Sequence, residues 1–179
     1  MGIGGGRESE DGCGEGVKVI VESMPLAKEV ALKTMLGLFL DRIFNKGRDS
    51  NDNPIGKYNP DFMVRYYQAN YPRLNSGAKN ALKKFEGKFV YYITLRRIAG
   101  RQIEYVDLQF SDEMFLSIII GDYNGEKVIG FSDSKNADKA KKNENNFKKI
   151  IFEPTQEEIE IAQEAYLDYI RNIQDVFSE

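Results

Sequence analysis

The last part of the chain carries its strongest secondary-structure signal. Residues 154–177 spell PTQEEIEIAQEAYLDYIRNIQDVF, in which Thr155 and Glu158 have the spacing of a helix capping box. Apolar residues then recur every three or four positions, which places them on one face of an α-helix. These residues are Ile159, Ala162, Tyr166, Tyr169, Ile173 and Val176. The segment therefore predicts a long C-terminal helix whose apolar face packs on a core or on another helix.

A second long helix is predicted nearer the start of the chain. Ser23 and Pro25 suit the beginning of a helix, and Gly47 suits its end. Its apolar face would hold Leu32, Leu36, Phe39 and Ile43. Before this helix, VKVIV at 17–21 predicts a short strand. Seven of the 16 glycines lie in residues 1–16, which predicts a flexible Gly-rich arm.

Shorter elements are predicted in the middle of the chain. Asn59 and Pro60 are typical of the start of a short helix, and residues 76–87 favour a further helical turn or two. The β-branched and aromatic residues of 88–95 predict a strand. Residues 96–105 are typical of a hairpin or an extended arm.

The next stretch predicts a hairpin. Asn124-Gly125 lies between two apolar runs, and this dipeptide is the strongest short signal for a hairpin turn. Ser111 can cap a short helix over 112–116, and 150–152 predicts a further short strand.

These elements together predict the α+β class. The expected architecture is a small, mostly antiparallel sheet packed by the long N-terminal helix and the C-terminal helix, with extended loops or arms. A length of 179 residues suits one domain, which we place at 17–179 after the arm at 1–16.

Composition excludes several kinds of chemistry. The chain has no histidine, which removes Ser-His-Asp and Cys-His catalysis and the commonest ligand of zinc. Its one cysteine, Cys13, cannot form an internal disulfide, which fits a reducing compartment. No apolar run reaches the roughly eighteen residues of a membrane span, so we expect no membrane contact. We expect no cofactor and no catalytic metal.

The loop GRDSNDNPIGKY at 47–58 resembles a calcium loop at first. Asp49, Asn51 and Asn53 alternate as oxygen ligands do in an EF-hand. Counted from Asp49, however, the positions that require Gly and a bidentate Glu hold Pro54 and Pro60. The loop is therefore expected to be a polar surface turn, with a weak cation site as the alternative.

Charge is distributed unevenly along the chain. The formal net charge is −3, but residues 79–101 hold seven basic residues and one acid, whereas 153–179 hold eight acids and one arginine. Three interpretations remain open. The two segments could be solvated faces of one molecule, they could join neighbouring copies head to tail in a ring, or the basic segment could face nucleic acid.

A nuclease is the alternative function. Pro60-Asp61 followed by Glu86-Gly87-Lys88 matches the PD…ExK pattern, in which two carboxylates hold Mg²⁺ and a lysine steadies the attacking water. Asp61, Glu86 and Lys88 would then be the catalytic residues. The pattern is short, and Asp61 equally suits the first turn of a helix.

Three segments follow one another in a particular order over residues 30–170. A Gly/Asp loop follows the first helix, VDLQFSDEM lies in mid-chain, and IIFEPTQEE precedes the last helix. With this order the chain resembles the tail-completion, or tail-terminator, proteins of long-tailed bacteriophages, also called the virion-morphogenesis group. The matching positions are Phe44, Gly47, Asp49, Gly56, Tyr58, Val106, Asp107, Leu108, Met114, Ser117, Ile151, Phe152, Thr155, Glu157 and Glu158. Ser111-Asp112 stands where the family usually has Thr-Gly.

The resemblance implies a structural protein of the virion and not an enzyme. Such a protein forms a homo-oligomeric ring, a hexamer by resemblance, at the head–tail junction (the neck). It caps the tail tube protein and joins it to head-completion proteins on the portal side. It is assembled in the host bacterial cytoplasm. In this chain, Arg96, Arg97 and Arg101 are expected either to bridge acidic partners or to face genomic DNA in the channel. The residues expected at partner interfaces are Arg48, Asp49, Tyr58, Arg96, Arg97, Arg101 and Asp107.

Overall fold

A computed structural model describes residues 11–67, 75–109 and 112–176 of the chain. Most of the predicted arm (1–10), the expected end of the helix after Pro60 and the predicted cap Ser111 lie outside these residues. The described residues confirm the α+β class. They form two separate antiparallel ribbons rather than one small sheet.

The N-terminal helix is longer than predicted. Helix α1 spans Asp11–Leu40 and continues as a π-helical turn over Asp41–Asn45, so that Pro25 lies inside the helix and not in its first turn. The strand predicted at 17–21 is wrong, because these residues are helical. In a helix, valine and isoleucine cost only a few tenths of a kcal/mol relative to alanine, so a stable adjoining helix can extend through them. Gly47 ends the helical region as predicted, with φ +64.

The larger of two packed regions, which we call the body, contains α1, α4 (Glu113–Ser117), β3 (Ile118–Tyr123), β4 (Glu126–Phe131), α5 (Ser134–Phe147) and α6 (Gln156–Val176). Helices α1 and α6 pack along each other, and β3–β4 lies against α1. The core consists of Phe39, Ile43, Phe44, Ile55, Val106, Met114, Ile118, Ala140 and Ile151. One core residue, Ile151, belongs to no strand, so the strand predicted at 150–152 is wrong.

Two predicted features of the body are confirmed. The Thr155 N–H donates to Glu158 Oε2 at 2.8 Å and the Glu158 N–H donates to Thr155 Oγ1 at 3.1 Å, which completes the capping box of α6. Asn124 and Gly125 form the hairpin turn between β3 and β4, with φ values of 52 and 83. The short helix α4 begins after Asp112, which has φ 60.

The smaller region, which we call the lobe, contains β1 (Met63–Arg65), α2 (Ser76–Lys83), β2 (Phe89–Tyr91) and α3 (Tyr92–Ile98). Its separate core consists of Tyr66, Leu82, Val90, Leu95 and Ala99. The helical turn predicted within 76–87 is confirmed by α2. The strand predicted at 88–95 is correct only for 89–91, because α3 begins at once and buries Leu95.

The helix predicted from Asn59 and Pro60 is wrong. Asn59 accepts from the N–H of Asp61 with its side chain at 2.9 Å, and from the N–H of Phe62 with its carbonyl at 3.2 Å. These bonds form a turn, and the chain then enters β1, which pairs with β2. A residue that can cap a helix can equally close such a turn, and here strand pairing decides between them.

Candidate functional site

A buried arginine lies where the lobe meets the body. Arg96, on α3, is 0% exposed. Its Nη2 donates to both carboxylate oxygens of Asp107 at 2.8 Å. Its Nε donates to the carbonyl of Gln102 at 2.9 Å, and its Nη1 donates to the carbonyl of Gln109. A buried guanidinium is tolerated only when its charge is paired and its donors are used, and both conditions hold here.

Two tyrosines enclose this arginine. The guanidinium carbon lies 4.3 Å from the ring centre of Tyr58 and 6.0 Å from that of Tyr92. The Tyr58 hydroxyl donates to Asp107 Oδ1 at 2.8 Å. Burial, together with the charge of Asp107, raises the pKa of Tyr58 well above its ordinary value of 10.0. The tyrosines therefore stay neutral and act as packing and hydrogen-bonding groups.

We call Tyr58, Tyr92, Arg96, Asp107 and Gln109 the Arg96 joint. It connects three parts of the chain, because Tyr58 ends the 47–58 loop, Arg96 belongs to the lobe and Gln109 bonds the body. The last contact runs from the Gln109 side-chain amide to the carbonyl of Phe44 at 2.6 Å. The charged groups of the joint, Arg96 and Asp107, pair with each other inside the protein. The joint is therefore a structural connection between the two cores.

The 47–58 loop is organised by Asp49, which is buried. Its Oδ1 accepts from the N–H groups of Asn51 at 3.0 Å and Asn53 at 2.9 Å, and its Oδ2 lies 3.2 Å from Lys149 Nζ. Burial alone would raise the pKa of Asp49, but these hydrogen bonds and Lys149 lower it below the ordinary value of 3.8. The loop is thus the polar turn that its composition predicts. Among the described residues, no group of three or more His, Cys, Asp or Glu side chains is placed to hold a metal ion.

A second buried arginine, Arg42, bonds the other side of this loop. The sequence analysis did not identify it. Arg42 Nε donates to Glu158 Oε1 at 2.8 Å, and its Nη atoms donate to the carbonyls of Arg48 at 3.1 Å, Ile151 at 3.2 Å and Glu153 at 2.7 Å. It thereby connects the π turn, the loop and the start of α6. No local signal in the sequence marks Arg42 as buried, because its acidic partner Glu158 is 116 positions away.

The seven residues predicted at partner interfaces differ in how far their side chains are exposed to solvent. Asp49, Arg96 and Asp107 are buried and bonded inside the chain. Arg101 is mostly covered and pairs with Asp112 at 2.6 Å. Tyr58, in the Arg96 joint, is partly buried.

The remaining two, Arg48 and Arg97, turn their charges outward. Arg48 is half-buried and pairs with exposed Asp52 at 3.0 Å, and Arg97 is exposed on α3. Whether any of the seven residues contacts a partner stays a prediction. Arg48 and Arg97 are the two that could do so directly.

The residues of the nuclease pattern are not brought together. Asp61 lies in the turn just before β1, and Glu86 lies in the turn just before β2. Because the ribbon is antiparallel, the starts of its two strands are at opposite ends. A three-residue strand spans roughly 10 Å, so the two carboxylates lie too far apart to share one Mg²⁺ ion.

One face of the lobe is apolar, cationic and exposed. Across the ribbon, Met63 pairs with Tyr91 and Arg65 pairs with Phe89, and all four side chains point to the same exposed side. The Arg65 guanidinium lies 5.5 Å from the ring centre of Tyr67, which is also exposed. Exposed basic residues lie close to this face in the chain, namely Lys83, Lys84, Lys88 and Arg97.

The opposite charge lies on the outer side of α6. Its exposed acids recur at helical spacing, so that they share the side turned away from α1. These residues are Glu157, Glu160, Glu164, Asp168 and Asp175. Glu158, by contrast, is buried against Arg42. The basic and acidic segments of the sequence therefore correspond to surfaces on different regions of the fold.

Comparisons with known proteins add no relative. Protein-family models, curated proteins and solved structures give no match to this chain. Within the described residues, no helix is both long and apolar enough to cross a bilayer.

Proposed function

We propose that this chain is a structural protein of the neck of a long-tailed bacteriophage, of the kind that completes the tail and joins it to the head. It acts by binding and has no catalytic turnover. By resemblance it forms a ring, hexameric in that family, between the tail tube and the head-completion proteins on the portal side. It would be assembled in the host cytoplasm and remain in the virion.

The observation that carries this proposal is the convergence of the three segments that resemble the family. In the first and second segments, the Val106 N–H donates to the carbonyl of Gly56 at 2.9 Å, and Tyr58 bonds Asp107. The third segment joins them through Ile151, which shares the body core with Phe44. Segments separated by about fifty residues thus build one structural unit, as expected if they resemble the family because they share its fold.

The roles of the matching residues also favour a structural protein. Gly47 allows close approach of the chain, since a Cβ there would lie 2.4 Å from Tyr105 Cδ2 and 2.5 Å from the carbonyl oxygen of Val106. Asp49 closes a turn, and Asp107 neutralises a buried arginine. These side chains maintain the fold, and the nuclease residues Asp61 and Glu86 lie apart.

The test is an amber stop at Lys18 in the phage or prophage that carries this gene. The lysate of a non-suppressing host is examined by negative-stain electron microscopy. We expect full heads beside unattached or overlong tails, and joined particles in a suppressing host that inserts lysine. Normal joined particles in the non-suppressing host would overturn the proposal.

A second measurement addresses turnover directly. The purified chain is incubated with supercoiled DNA and Mg²⁺, with the Glu86→Ala variant as a control. We expect no cleavage by either protein. Cleavage that disappears in the Glu86→Ala variant would replace the structural proposal with the nuclease.

A further inference from the structure

The outer face of the lobe ribbon carries three large, exposed apolar side chains. Phe89 is 68% exposed, and its neighbours Met63 and Tyr91 are 44% and 49% exposed. Within the described residues, β1 and β2 pair only with each other. An exposed apolar face of this kind is typical of a surface that a partner covers.

The charge of this face specifies the partner. Arg65 lies on the face itself. Near it in the chain, Lys83 is the last residue of α2, and Lys84 and Lys88 belong to the turn that leads into β2. A matching partner should offer carboxylates together with some apolar side chains, so that burial of the ring of Phe89 and pairing of the lysines occur in the same contact.

The chain itself carries such a surface on α6. Glu157, Ile161, Glu164 and Asp168 follow one another at steps of four, three and four, so they share one side of the helix. All four are exposed. Leu167 adds a further exposed apolar side chain next to this side. The outer side of α6 is therefore mainly acidic with apolar side chains interspersed, and its one arginine, Arg171, pairs with Asp168 at 2.8 Å. The carboxylates of Glu157 and Glu164 are the complement of the lobe face.

We propose that the exposed face of the lobe in one copy docks on the outer side of α6 in a neighbouring copy. This inference rests on the proposed function, because it names the contact between neighbours in the assembly. The two surfaces are different, so the contact is heterologous and repeats from copy to copy. Such a contact closes into a ring if its rotation permits, and otherwise it propagates as an open array.

Nucleic acid is the competing occupant, because aromatic and basic side chains together also suit single strands. The second copy is favoured because its α6 supplies both the carboxylates and the apolar side chains that this face would bind. The two occupants differ in a simple way. Only docking of a second copy requires the residues of α6.

The first experiment compares two exposed aromatic residues in the two ribbons. Phe89→Asp changes the proposed face, and Tyr123→Asp is the matched control, since Tyr123 on β3 is 67% exposed. Association of the full chain is measured by sedimentation over a range of concentrations. We expect Phe89→Asp to weaken association by roughly tenfold or more, while Tyr123→Asp leaves it unchanged. Equal association of both variants and the wild type would overturn the proposal.

A charge reversal then identifies the facing surface. Lys83→Glu alone and Glu164→Lys alone should each weaken association, and the double variant should recover most of it, because every contact in the assembly regains opposite charges. Asp138→Lys, an exposed acid on α5, is the control and should change little. Failure of the double variant to recover would overturn the pairing of these surfaces.

Disulfide trapping tests the same contact when association is too weak to measure by sedimentation. In a Cys13→Ser background, a chain with Phe89→Cys is mixed with a chain with Glu164→Cys under mild oxidation. We expect the mixed disulfide to exceed both same-chain dimers, and a yield no higher than that with Asp138→Cys would overturn the proposal. Binding of a single-stranded oligonucleotide that Phe89→Asp abolishes and Glu164→Lys does not weaken would instead assign the face to nucleic acid.

These results separate the inference from the proposed function. If Phe89→Asp blocks assembly and the amber mutant still yields joined particles, the contact is correct and the neck assignment is wrong. If the amber mutant separates heads from tails and a Phe89→Asp phage still yields joined particles, the neck assignment stands and the contact is wrong.

Discussion

The body and the lobe each have a small core and one buried arginine at their edge. In the body, Arg42 makes one ion pair, to Glu158, and donates to three carbonyls. At the lobe, Arg96 makes its ion pair to Asp107 and lies against the ring of Tyr58. The surfaces differ more than the interiors do. Each ribbon is packed on one side, by α1 in the body and by its own core in the lobe. The exposed sides differ in charge, since Arg65 lies among apolar side chains on the lobe ribbon, whereas Tyr123 on the body ribbon pairs with Glu126.

This difference indicates how far the stability of each region depends on contacts with the rest of the chain. The body is stabilised by a long helix pair, α1 and α6, and by a core whose buried residues come from distant segments between 39 and 151. The lobe has a core of five buried residues, and the Arg96 joint connects it to the body. The lobe should therefore be the region whose stability responds most to its connection to the body and to a partner.

Arg96→Ala should have the largest effect. It leaves the carboxylate of Asp107 buried without its cation, which typically costs about 3–5 kcal/mol of the free energy of unfolding. Denaturant unfolding checks the magnitude, with exposed Arg97→Ala as the control expected within about 0.5 kcal/mol. Amide exchange should accelerate first in the lobe, at Val90 and Leu95. Uniform acceleration across both regions would show that they unfold as one unit.

Glu158→Ala should cost somewhat less, about 2–3 kcal/mol. It removes the carboxylate that pairs with Arg42, but the guanidinium keeps its three carbonyl acceptors. The Thr155 N–H also loses its acceptor at the start of α6. Neighbouring Glu157→Ala, an exposed acid of the same helical turn, is the control. A cost as large as that of Arg96→Ala would show that the carbonyls do not compensate the buried charge.

Two glycines with positive φ provide the next comparison. Gly47→Ala places a methyl group against Tyr105 and the carbonyl of Val106, so we expect a loss of about 2 kcal/mol or more. Gly87→Ala, in the lobe, adopts φ +71 with open space around it, so we expect about 1 kcal/mol from backbone strain alone. Thermal unfolding of the two variants checks this order. Equal losses of stability would mean that Tyr105 and the backbone at Val106 can shift to accommodate the new methyl group.

Alkaline pH should weaken the Arg96 joint by a smaller, graded amount. Burial raises the pKa of both Tyr58 and Tyr92 above the ordinary value of 10.0. Above this pH the unfolded chain has released these protons while the folded chain keeps them. Stability is therefore full below about pH 10 and falls above it, by at most about 1.4 kcal/mol per pH unit for each tyrosine.

Thermal unfolding measured from pH 8 to pH 12 would reveal this decline, and Tyr58→Phe tests its cause. The variant loses the hydrogen bond to Asp107 and should be less stable at neutral pH. Its stability should nevertheless fall less steeply above pH 10, because one of the two groups has been removed. An unchanged slope would assign the decline to other groups, such as exposed lysines.

Several features of the fold could be predicted from local sequence because the physics that decides them is local. The capping box of α6, the Asn124-Gly125 turn and the end of the helical region at Gly47 depend on one or two neighbouring residues each. The polar turn at Asp49 belongs with them, since Asp49 bonds backbone groups two and four residues ahead. The separation of charge between residues 79–101 and 153–179 was also visible in the sequence, and it survives as two surfaces.

The partners and the burial of the arginines could not be predicted in this way. Arg96 and Arg97 are neighbours in the sequence, yet the first is fully buried and the second is exposed. The difference arises because Asp107 and the Tyr58 ring, 11 and 38 positions away in the chain, meet only one of them. Arg42 is likewise paired with an acid 116 positions away.

By itself, the sequence determined the α+β class, the two long helices and the turns, because periodicity and capping chemistry act over a few residues. The tertiary structure decided that 17–21 continue a helix, that the residues after Pro60 form a strand, and that Arg96 and Asp107 face each other. These outcomes depend on pairing and burial between distant segments. Their free energies exceed the few tenths of a kcal/mol by which local propensities differ.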